Sequence, residues 1–182
     1  MQPSWQRRVV LAWSLFAGIA VLWDLSWCFV FRQLQSPAAA HDWHIIWTTY
    51  GLVDHRFLRG DGYLLIIEML TGFGSLLHFY VAYELLRGSA ARARLALLVV
   101  SIMDLYGALI YFGAEALAHF ADIDTTSVVR TWVLFVGLNS LWLIFPGWCL
   151  YLGTRMRGEK APYGRRERRI QPWSMDPADV RP

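Results

Sequence analysis

The sequence predicts an all-α integral membrane protein, in which a four-helix transmembrane bundle encloses a pocket of polar and aromatic side chains. Of the 182 residues, 56% are hydrophobic and 10 are tryptophan, and the mean hydropathy of +0.34 is high for a soluble domain. Four stretches are long enough to cross the bilayer as helices, which takes roughly 20 residues each. Inside these stretches lie five acidic residues, namely Asp24, Glu68, Glu84, Asp104 and Glu115.

The predicted spans cover residues 9–31, 62–86, 95–118 and 129–153. None of them has the continuous charged face that a solvated helix carries, which argues against a soluble bundle of unusually apolar helices. The first span is too long for the hydrophobic segment of a signal peptide, and no small-residue cleavage site follows it. We therefore predict an N-terminal segment at residues 1–8, a membrane domain at 9–153 and a basic, disordered tail at 154–182.

The arginines predict the orientation of the bundle. They precede the first span, fill the loop after the second and follow the fourth, whereas the loop at 119–128 has only the acidic Asp122 and Asp124 as charged residues. By the positive-inside rule, both termini are then cytoplasmic. The aromatic segment at 43–47 is expected at the outer interface, as a belt or a short amphipathic helix. The basic tail is either a stop-transfer anchor or a site for anionic lipid headgroups.

Several classes of function are disfavoured by the motifs of the chain. Cys28 and Cys149 lie inside spans, at neither a C-x-x-C nor a metal-ligand spacing, so we expect no disulfide and no metal site. His41 and His44 lie beside Trp43, where interfacial histidines are more typical than a metal pair. There is no dinucleotide fingerprint or phosphate loop, and the net charge of +3 comes largely from the tail. We therefore expect neither a cofactor nor a nucleic-acid partner.

The polar and aromatic residues of each span lie at helical spacing and share one face. From the first to the fourth span these faces comprise Trp13, Ala17, Ala20, Asp24 and Trp27; Glu68, Thr71, Ser75 and His78; Asp104, Ala108, Tyr111 and Glu115; and Trp132, Phe135, Asn139, Trp142 and Pro146. Four helices with one such face each are enough to enclose a pocket in a bundle core. The alternative is that these groups only satisfy one another between membrane helices, at roughly 0.6–2 kcal/mol per contact.

Three ordered motifs run along the chain. Residues 54–68 have the pattern D-x-R-x3-G-D-x6-E, residues 106–115 have Y-G-x3-Y-F-x2-E, and residues 139–147 have N-x2-W-x3-P-G. In these motifs the chain, from about residue 7 to residue 152, resembles the emopamil-binding-protein family. These are EXPERA-domain membrane proteins whose best-known members are sterol Δ8–Δ7 isomerases. The order of the three motifs identifies the family, because no single one of them is specific.

The resemblance implies roles for particular residues. Glu68 corresponds to the proton-transfer acid of the second helix, and Asn139 and Trp142 correspond to the fourth-helix pair that lines the pocket and faces a carbocation. Tyr111 and Glu115 fall on pocket positions of the third helix. In a eukaryote the resemblance implies the endoplasmic reticulum membrane. A strong excess of arginine over lysine instead favours a GC-rich bacterial genome and hence the plasma membrane.

The first helix departs from the family pattern H-x3-E, whose histidine takes part in proton transfer. Val21 and Leu25 stand at those two places, and Asp24 lies one residue before the second. Trp27 matches the family's tryptophan just beyond. This helix contains no histidine, which favours a variant of the isomerase chemistry or a binding role.

The resulting prediction is a cofactor-independent isomerase of a sterol or polycyclic terpenoid. Such an enzyme must protonate one carbon of a double bond and deprotonate a neighbouring carbon, which takes an acid and a base in different environments. A carboxylic acid in an apolar cavity favours its neutral form, and tryptophan faces stabilise the cation. We expect Glu68 or Asp24 to donate the proton, the other acid or Asp104 to accept one, and Asn139 to position the acid.

The side chains predicted to contact the substrate are Trp27, Thr71, Asp104, Tyr106, Tyr111, Glu115 and Phe135. Three alternatives stay open. A membrane-bound terpene cyclase or epoxide isomerase would use the same acids, whereas a non-catalytic protein would bind a sterol or cationic amphiphile with them. The third is a purely structural membrane subunit. The expected partners are a hydrophobic small molecule and membrane lipids, with a homodimer through the spans as a further option.

Overall fold

A computed structural model of the chain describes residues 4–34 and 45–156. His41, Trp43, His44 and most of the predicted basic tail lie outside the described residues. The described part is helical and has no strand. Its helices are α1 (Ser4–Leu34), α2 (Ile45–Gly51), α3 (His55–Arg59), α4 (Gly62–Leu86), α5 (Ala90–Leu117) and α6 (Leu138–Arg155). A π-helical segment, Val129–Gly137, runs directly into α6.

Four helices are long and apolar enough to cross a membrane: α1, α4, α5, and the π-helical segment together with α6. The predicted all-α membrane fold is therefore confirmed, and the chain is a multi-pass membrane protein. Two of these helices begin earlier than the hydropathy pattern predicts. α1 starts at Ser4 and α5 at Ala90. In both helices, a turn that contains arginine precedes the apolar span and belongs to the same regular helix.

The four long helices pack in sequence, α1 along α4, α4 along α5 and α5 along α6, whereas α1 and α6 contact each other little. We call the end of the bundle where α1 begins and α6 ends the inner end, and the opposite end the outer end, as positions along the bundle only. At the inner end all four helices share one apolar core that includes Val10, Leu85, Leu97 and Leu152. The side chain of Trp13 lies between α1 and α6, stacked on Phe145 with ring centroids 4.7 Å apart. Toward the outer end α1 and α6 separate, which leaves space between them.

The outer end of the bundle is closed by two connecting segments, residues 45–61 and 118–128, which we call the outer cap. His55 N donates to Asp122 O and Asp124 N donates to Val53 O, each at 2.9 Å, so the two segments pair around an isolated bridge. Asp122 also forms an ion pair with Arg59 at 2.6 Å. Hydrogen bonds from Thr126 and Arg130 lower the pKa of Asp124 to about 2, which keeps this carboxylate ionised.

The D-x-R-x3-G-D part of the first motif consists of helix boundaries within this cap. Asp54 caps α3 by accepting a hydrogen bond from Arg56 N at 3.0 Å. Gly60 ends α3 with a φ of 68°, a left-handed conformation that favours glycine. Asp61 then caps α4 by accepting from the backbone of Tyr63 and Leu64, each at 3.0 Å. The motif thus sets the sharp turn that leads into the second membrane span.

Close packing of α4 against α1 depends on Gly72. A Cβ added there would lie 2.7 Å from Leu25 Cδ1 and 3.1 Å from Leu25 Cβ. We expect Gly72→Val to destabilise the protein by about 1–3 kcal/mol through overpacking, measured by thermal unfolding in detergent. Gly113→Val is the matched control, because a Cβ there meets no neighbouring atom of the described residues within 4 Å. Equal losses in the two variants would contradict the prediction.

Candidate active site

A cavity of about 270 Å³ lies between the outer halves of the four long helices and beneath the outer cap. Its volume is close to the lower limit of roughly 300–1,000 Å³ for small-molecule sites. Its walls are mostly apolar and aromatic, with a few polar groups. These polar groups are Asp24, Tyr50, Glu68, Thr71, Asp104, Tyr111 and Asn139. The cavity adjoins a shallow apolar groove lined by Phe16, Ile19, Ala20, Trp23, Asp24 and Ile46.

The structure brings together the four residues that were predicted to be catalytic. Asp24 on α1, Glu68 on α4, and Asn139 and Trp142 on α6 all line the cavity. Three of the predicted substrate contacts lie there too, namely Thr71, Asp104 and Tyr111. The carboxyl groups of Asp24 and Glu68 are close enough to interact electrostatically. A chain segment of almost 120 residues thus folds so that its polar helix faces meet in one space.

Four other predicted contacts do not line the cavity. Trp27 is fully buried beneath the outer cap, where its Nε1 donates to Phe57 O at 3.1 Å. Phe135 is buried in an aromatic cluster, and Glu115 faces Arg56 above the cavity. Tyr106 is 67% exposed on the outside of the bundle, because its five-residue offset from Tyr111 places it on another face of α5. We do not include these four in the proposed substrate site.

A buried ion cluster lies directly above the cavity. The guanidinium of Arg56 contacts Asp54 Oδ2 at 2.6 Å and Glu115 Oε1 at 2.8 Å, and it lies over the ring of Tyr111. All three charged residues are at most 3% exposed. Burial acts to lower the pKa of Arg56, but the hydrogen bonds and charge of Asp54 outweigh it and raise this pKa. The guanidinium is therefore a permanent positive charge between the cap and α5.

A directed hydrogen-bond chain connects this cluster to the cavity wall. Tyr111 O–H donates to Asp54, so the hydroxyl of Tyr50, 3.4 Å from that of Tyr111, is left to donate to Tyr111. Asn139 Nδ2 in turn donates to Tyr50 Oη and to Phe135 O, each at 2.7 Å. Burial raises the pKa of Tyr50, which keeps its phenol neutral and able to donate. The described contacts of the Asn139 amide thus hold Tyr50, whereas the sequence predicted that this amide positions an acid.

Sequence reasoning missed the three aromatic residues that the outer cap contributes to the cavity wall, namely Trp47, Tyr50 and Phe57. The segment at 43–47 was expected at the interface, and its described part begins the short helix α2, as one of the two options predicted. Trp47 is nevertheless buried and stacks on Phe57 with ring centroids 5.8 Å apart. The i, i+3 spacing of Trp47 and Tyr50 was the available signal. It indicates a shared face but not what that face covers.

An apolar four-helix bundle with an acid-lined cavity defines a membrane protein with a site for a hydrophobic small molecule. The model of one family, described as EXPERA (EXPanded EBP superfamily), matches residues 43–152. The chain therefore belongs to this family, as the three motifs predicted. Within the described residues, no group of three or more histidine, cysteine, aspartate or glutamate side chains is arranged to hold a metal ion.

Individual relatives resemble the chain over most of its length. The 3-beta-hydroxysteroid-Delta(8),Delta(7)-isomerase of Rattus norvegicus is 28% identical over 144 residues, which cover 78% of this chain and 61% of the relative. The protein of the same name from Mus musculus is 30% identical over 143 residues, covering 77% of this chain and 60% of the relative. Isomeliandiol synthase MOI2 of Melia azedarach is 29% identical over 143 residues, covering 76% and 64%. The match thus spans about three fifths of these relatives.

The ion cluster should dominate the stability of the outer cap. Arg56→Gln leaves Asp54 and Glu115 buried without their countercharge, and we expect a loss of about 3–5 kcal/mol in the free energy of unfolding. Arg59→Gln is the matched control three residues away, because its pair with Asp122 is partly exposed and worth roughly 0–1 kcal/mol. Denaturant titration in detergent measures both. A loss for Arg56→Gln no larger than that for Arg59→Gln would refute this.

Proposed function

We propose that the chain is a cofactor-independent isomerase that moves a double bond in a sterol or polycyclic terpenoid. The observation that carries this proposal is that Asp24 and Glu68, from facing helices, share one largely apolar cavity with the indole of Trp142. An apolar ligand fits the walls, and the carboxyl groups are the groups that can exchange protons with it. The membrane spans place this cavity within reach of substrates dissolved in the bilayer.

The proposed reaction has two proton transfers. Glu68 or Asp24, as a neutral acid, transfers its proton to one carbon of the double bond and becomes a carboxylate. The adjacent carbon becomes a carbocation, which the aromatic faces of Trp142 and Tyr50 stabilise through cation–π attraction. A carboxylate then removes a proton from a neighbouring carbon, and the electron pair of that C–H bond forms the new double bond. The proton bound in this step has to return to the donor acid before the next turnover.

The relatives support this class of substrate by their names alone. Two are named for a steroid isomerisation and one for the synthesis of isomeliandiol. Because the identity is at most about 30%, we assign the substrate only as a sterol or terpenoid. The groove beside Phe16 and Ile46 provides a route by which such a molecule enters from the bilayer. Cytoplasmic termini, the endoplasmic reticulum or a bacterial plasma membrane, and a homodimer remain predictions.

Turnover in deuterated water tests the proposal. Membranes containing the wild type, Glu68→Gln or Asp24→Asn are incubated with Δ8-sterols and with linear or epoxidised terpenoids, and products are analysed by mass spectrometry. We expect a shifted product that carries deuterium, with a rate about 10²–10⁴-fold lower for Glu68→Gln, the size of a general-acid contribution. A cyclised product would select the terpene cyclase alternative.

The matched control is Glu84→Gln, the same substitution on the same helix. Glu84 is paired with Arg92 at 3.0 Å near the inner end and does not line the cavity. Its replacement should leave the rate within a few-fold of the wild type. If every substrate returns unlabelled while a cationic amphiphile binds in a Glu68-dependent way, the protein is a lipid-binding protein and the enzymatic proposal is wrong.

Removal of the indole at 142 should slow the step that forms the cation. Trp142 lines the cavity and is held edge-on against Trp13 with ring centroids 5.4 Å apart. Cation–π stabilisation of about 2 kcal/mol corresponds to roughly 30-fold in rate, so we expect Trp142→Leu to lower kcat by about that factor with little change in KM. Trp148→Leu on the same helix is the control, since Trp148 is 42% exposed outside the cavity. Equal effects would contradict a cation-stabilising role.

A further inference from the structure

A second acid–base pair lies on the cavity wall, apart from Asp24 and Glu68. Asp104 on α5 lines the cavity, and its Oδ2 is 3.1 Å from Nε2 of His78 on α4. His78 is 1% exposed and Asp104 is 6% exposed. His78 does not itself line the cavity, so it lies behind the carboxyl group. Because Oδ2 is bound to the imidazole, Oδ1 is the carboxylate oxygen available to a molecule in the cavity.

The partner of Asp104 differs in kind from those of the other buried acids. Asp54 and Glu115 face Arg56, and Glu84 faces Arg92. A guanidinium keeps its charge, so a proton added to any of these three carboxylates would break an ion pair. An imidazole differs from a guanidinium because each ring nitrogen can act as donor or acceptor, depending on the tautomer. Among the buried carboxylates of the described residues, Asp104 is the one that faces an imidazole rather than a guanidinium.

The two ring nitrogens of His78 differ in their contacts within the part of the chain that the structure describes, since Nε2 is bound to Asp104 and Nδ1 is not paired. Its Nδ1 is buried and has no hydrogen-bond partner among the described residues. Leaving a buried polar atom unpaired costs roughly 1–3 kcal/mol, and buried polar groups are normally paired. Leucine at this position would fill the space between α4 and α5 without that cost. The hydrogen bond to Asp104 is therefore the polar contact that the described residues provide for this imidazole.

We propose that Asp104 is the proton acceptor of the isomerisation and that His78 is the positioning residue that orients its carboxylate. Nε2–H of His78 donates to Oδ2, so the free oxygen is fixed toward the substrate. In the second step the C–H bond beside the cation breaks, its proton goes to Asp104, and its electron pair forms the new double bond. Asp104 ends protonated and the donor acid ends ionised, and exchange with water resets both. This inference rests on the isomerase function proposed above.

Isotope effects distinguish the two proton transfers. With a substrate that the wild type converts, Asp104→Asn should lower kcat by about 10²–10⁴-fold. It should also increase the kinetic isotope effect of a substrate deuterated at the carbon that loses hydrogen, because breaking this bond becomes limiting. Glu68→Gln should instead increase the solvent isotope effect. If Asp104→Asn changes neither kcat nor the substrate isotope effect while Glu68→Gln abolishes turnover, this inference is wrong and the proposed function stands.

A pair of variants tests the role of His78. The amide nitrogen of His78→Gln can replace Nε2–H as a donor to Asp104, whereas His78→Leu removes the donor. We expect His78→Gln to stay within a few-fold of the wild type, and His78→Leu to lose about 10–100-fold in kcat, with an increased substrate isotope effect and unchanged KM. A merely structural histidine would lower the thermal midpoint without altering the isotope effect, and that outcome refutes the role. The comparison of His78→Gln with His78→Leu also tests the proposal if Asp104→Asn does not fold. If the wild type converts no substrate, both proposals fail together.

Discussion

The buried ion pairs of Arg56 are the interaction on which the rest of the outer half depends. The carboxylates of Asp54 and Glu115 would be costly to bury without a countercharge. The guanidinium of Arg56 contacts both of them and so connects the cap to α5. Because Asp54 also receives the hydrogen bond of Tyr111, the position of the cap determines the position of the phenols below it. The amide of Asn139 on α6 is the last member of this chain. One buried charge thus orders side chains from three separate parts of the sequence around the roof of the cavity.

The cavity lies above the apolar core that the four long helices share at the inner end of the bundle. The inner apolar core holds all four helices together, while α1 and α6 separate toward the outer end, where the cap bridges the gap. A carboxyl group inside a membrane helix costs roughly 2.5–3.5 kcal/mol to insert, so it is tolerated where it faces a partner or a polar space rather than lipid. Asp24 and Glu68 occur on the helix faces that border this gap. The gap that accommodates these acids would therefore also admit the hydrophobic ligand on which we propose that they act.

Hydropathy and helical periodicity were sufficient to predict the four spans and most polar residues of the cavity. They succeed for Glu68 and Asn139 because each lies on a long regular helix, where spacing alone decides which face a residue occupies. Periodicity does not give depth, and for this reason Glu115, on the correct face of α5, lies above the cavity beside Arg56. It also fails for Tyr50, since the place of a short helix between two spans is set by contacts with distant residues. The pair between Arg56 and Asp54 lies within the D-x-R motif, whereas the pairs of Arg56 with Glu115 and of Arg59 with Asp122 follow from tertiary structure and have no local pattern.

The buried acids of this fold differ chiefly in what each one faces, and this difference separates structural from chemical roles. A carboxylate beside arginine, as Glu115 is, has a permanent countercharge, and loss of that arginine would leave it buried and unpaired. The carboxyl groups of Asp24 and Glu68 line one largely apolar space, and in the proposed reaction they are the groups that exchange protons with a ligand. Asp104 is intermediate, since it lines the same cavity but is also held by the imidazole of His78. The proposed proton transfers need carboxyl groups that line the cavity, such as Asp24, Glu68 and Asp104. The carboxylates paired with arginine hold the surrounding structure in place. The helix bundle provides both kinds of carboxyl group within one small domain.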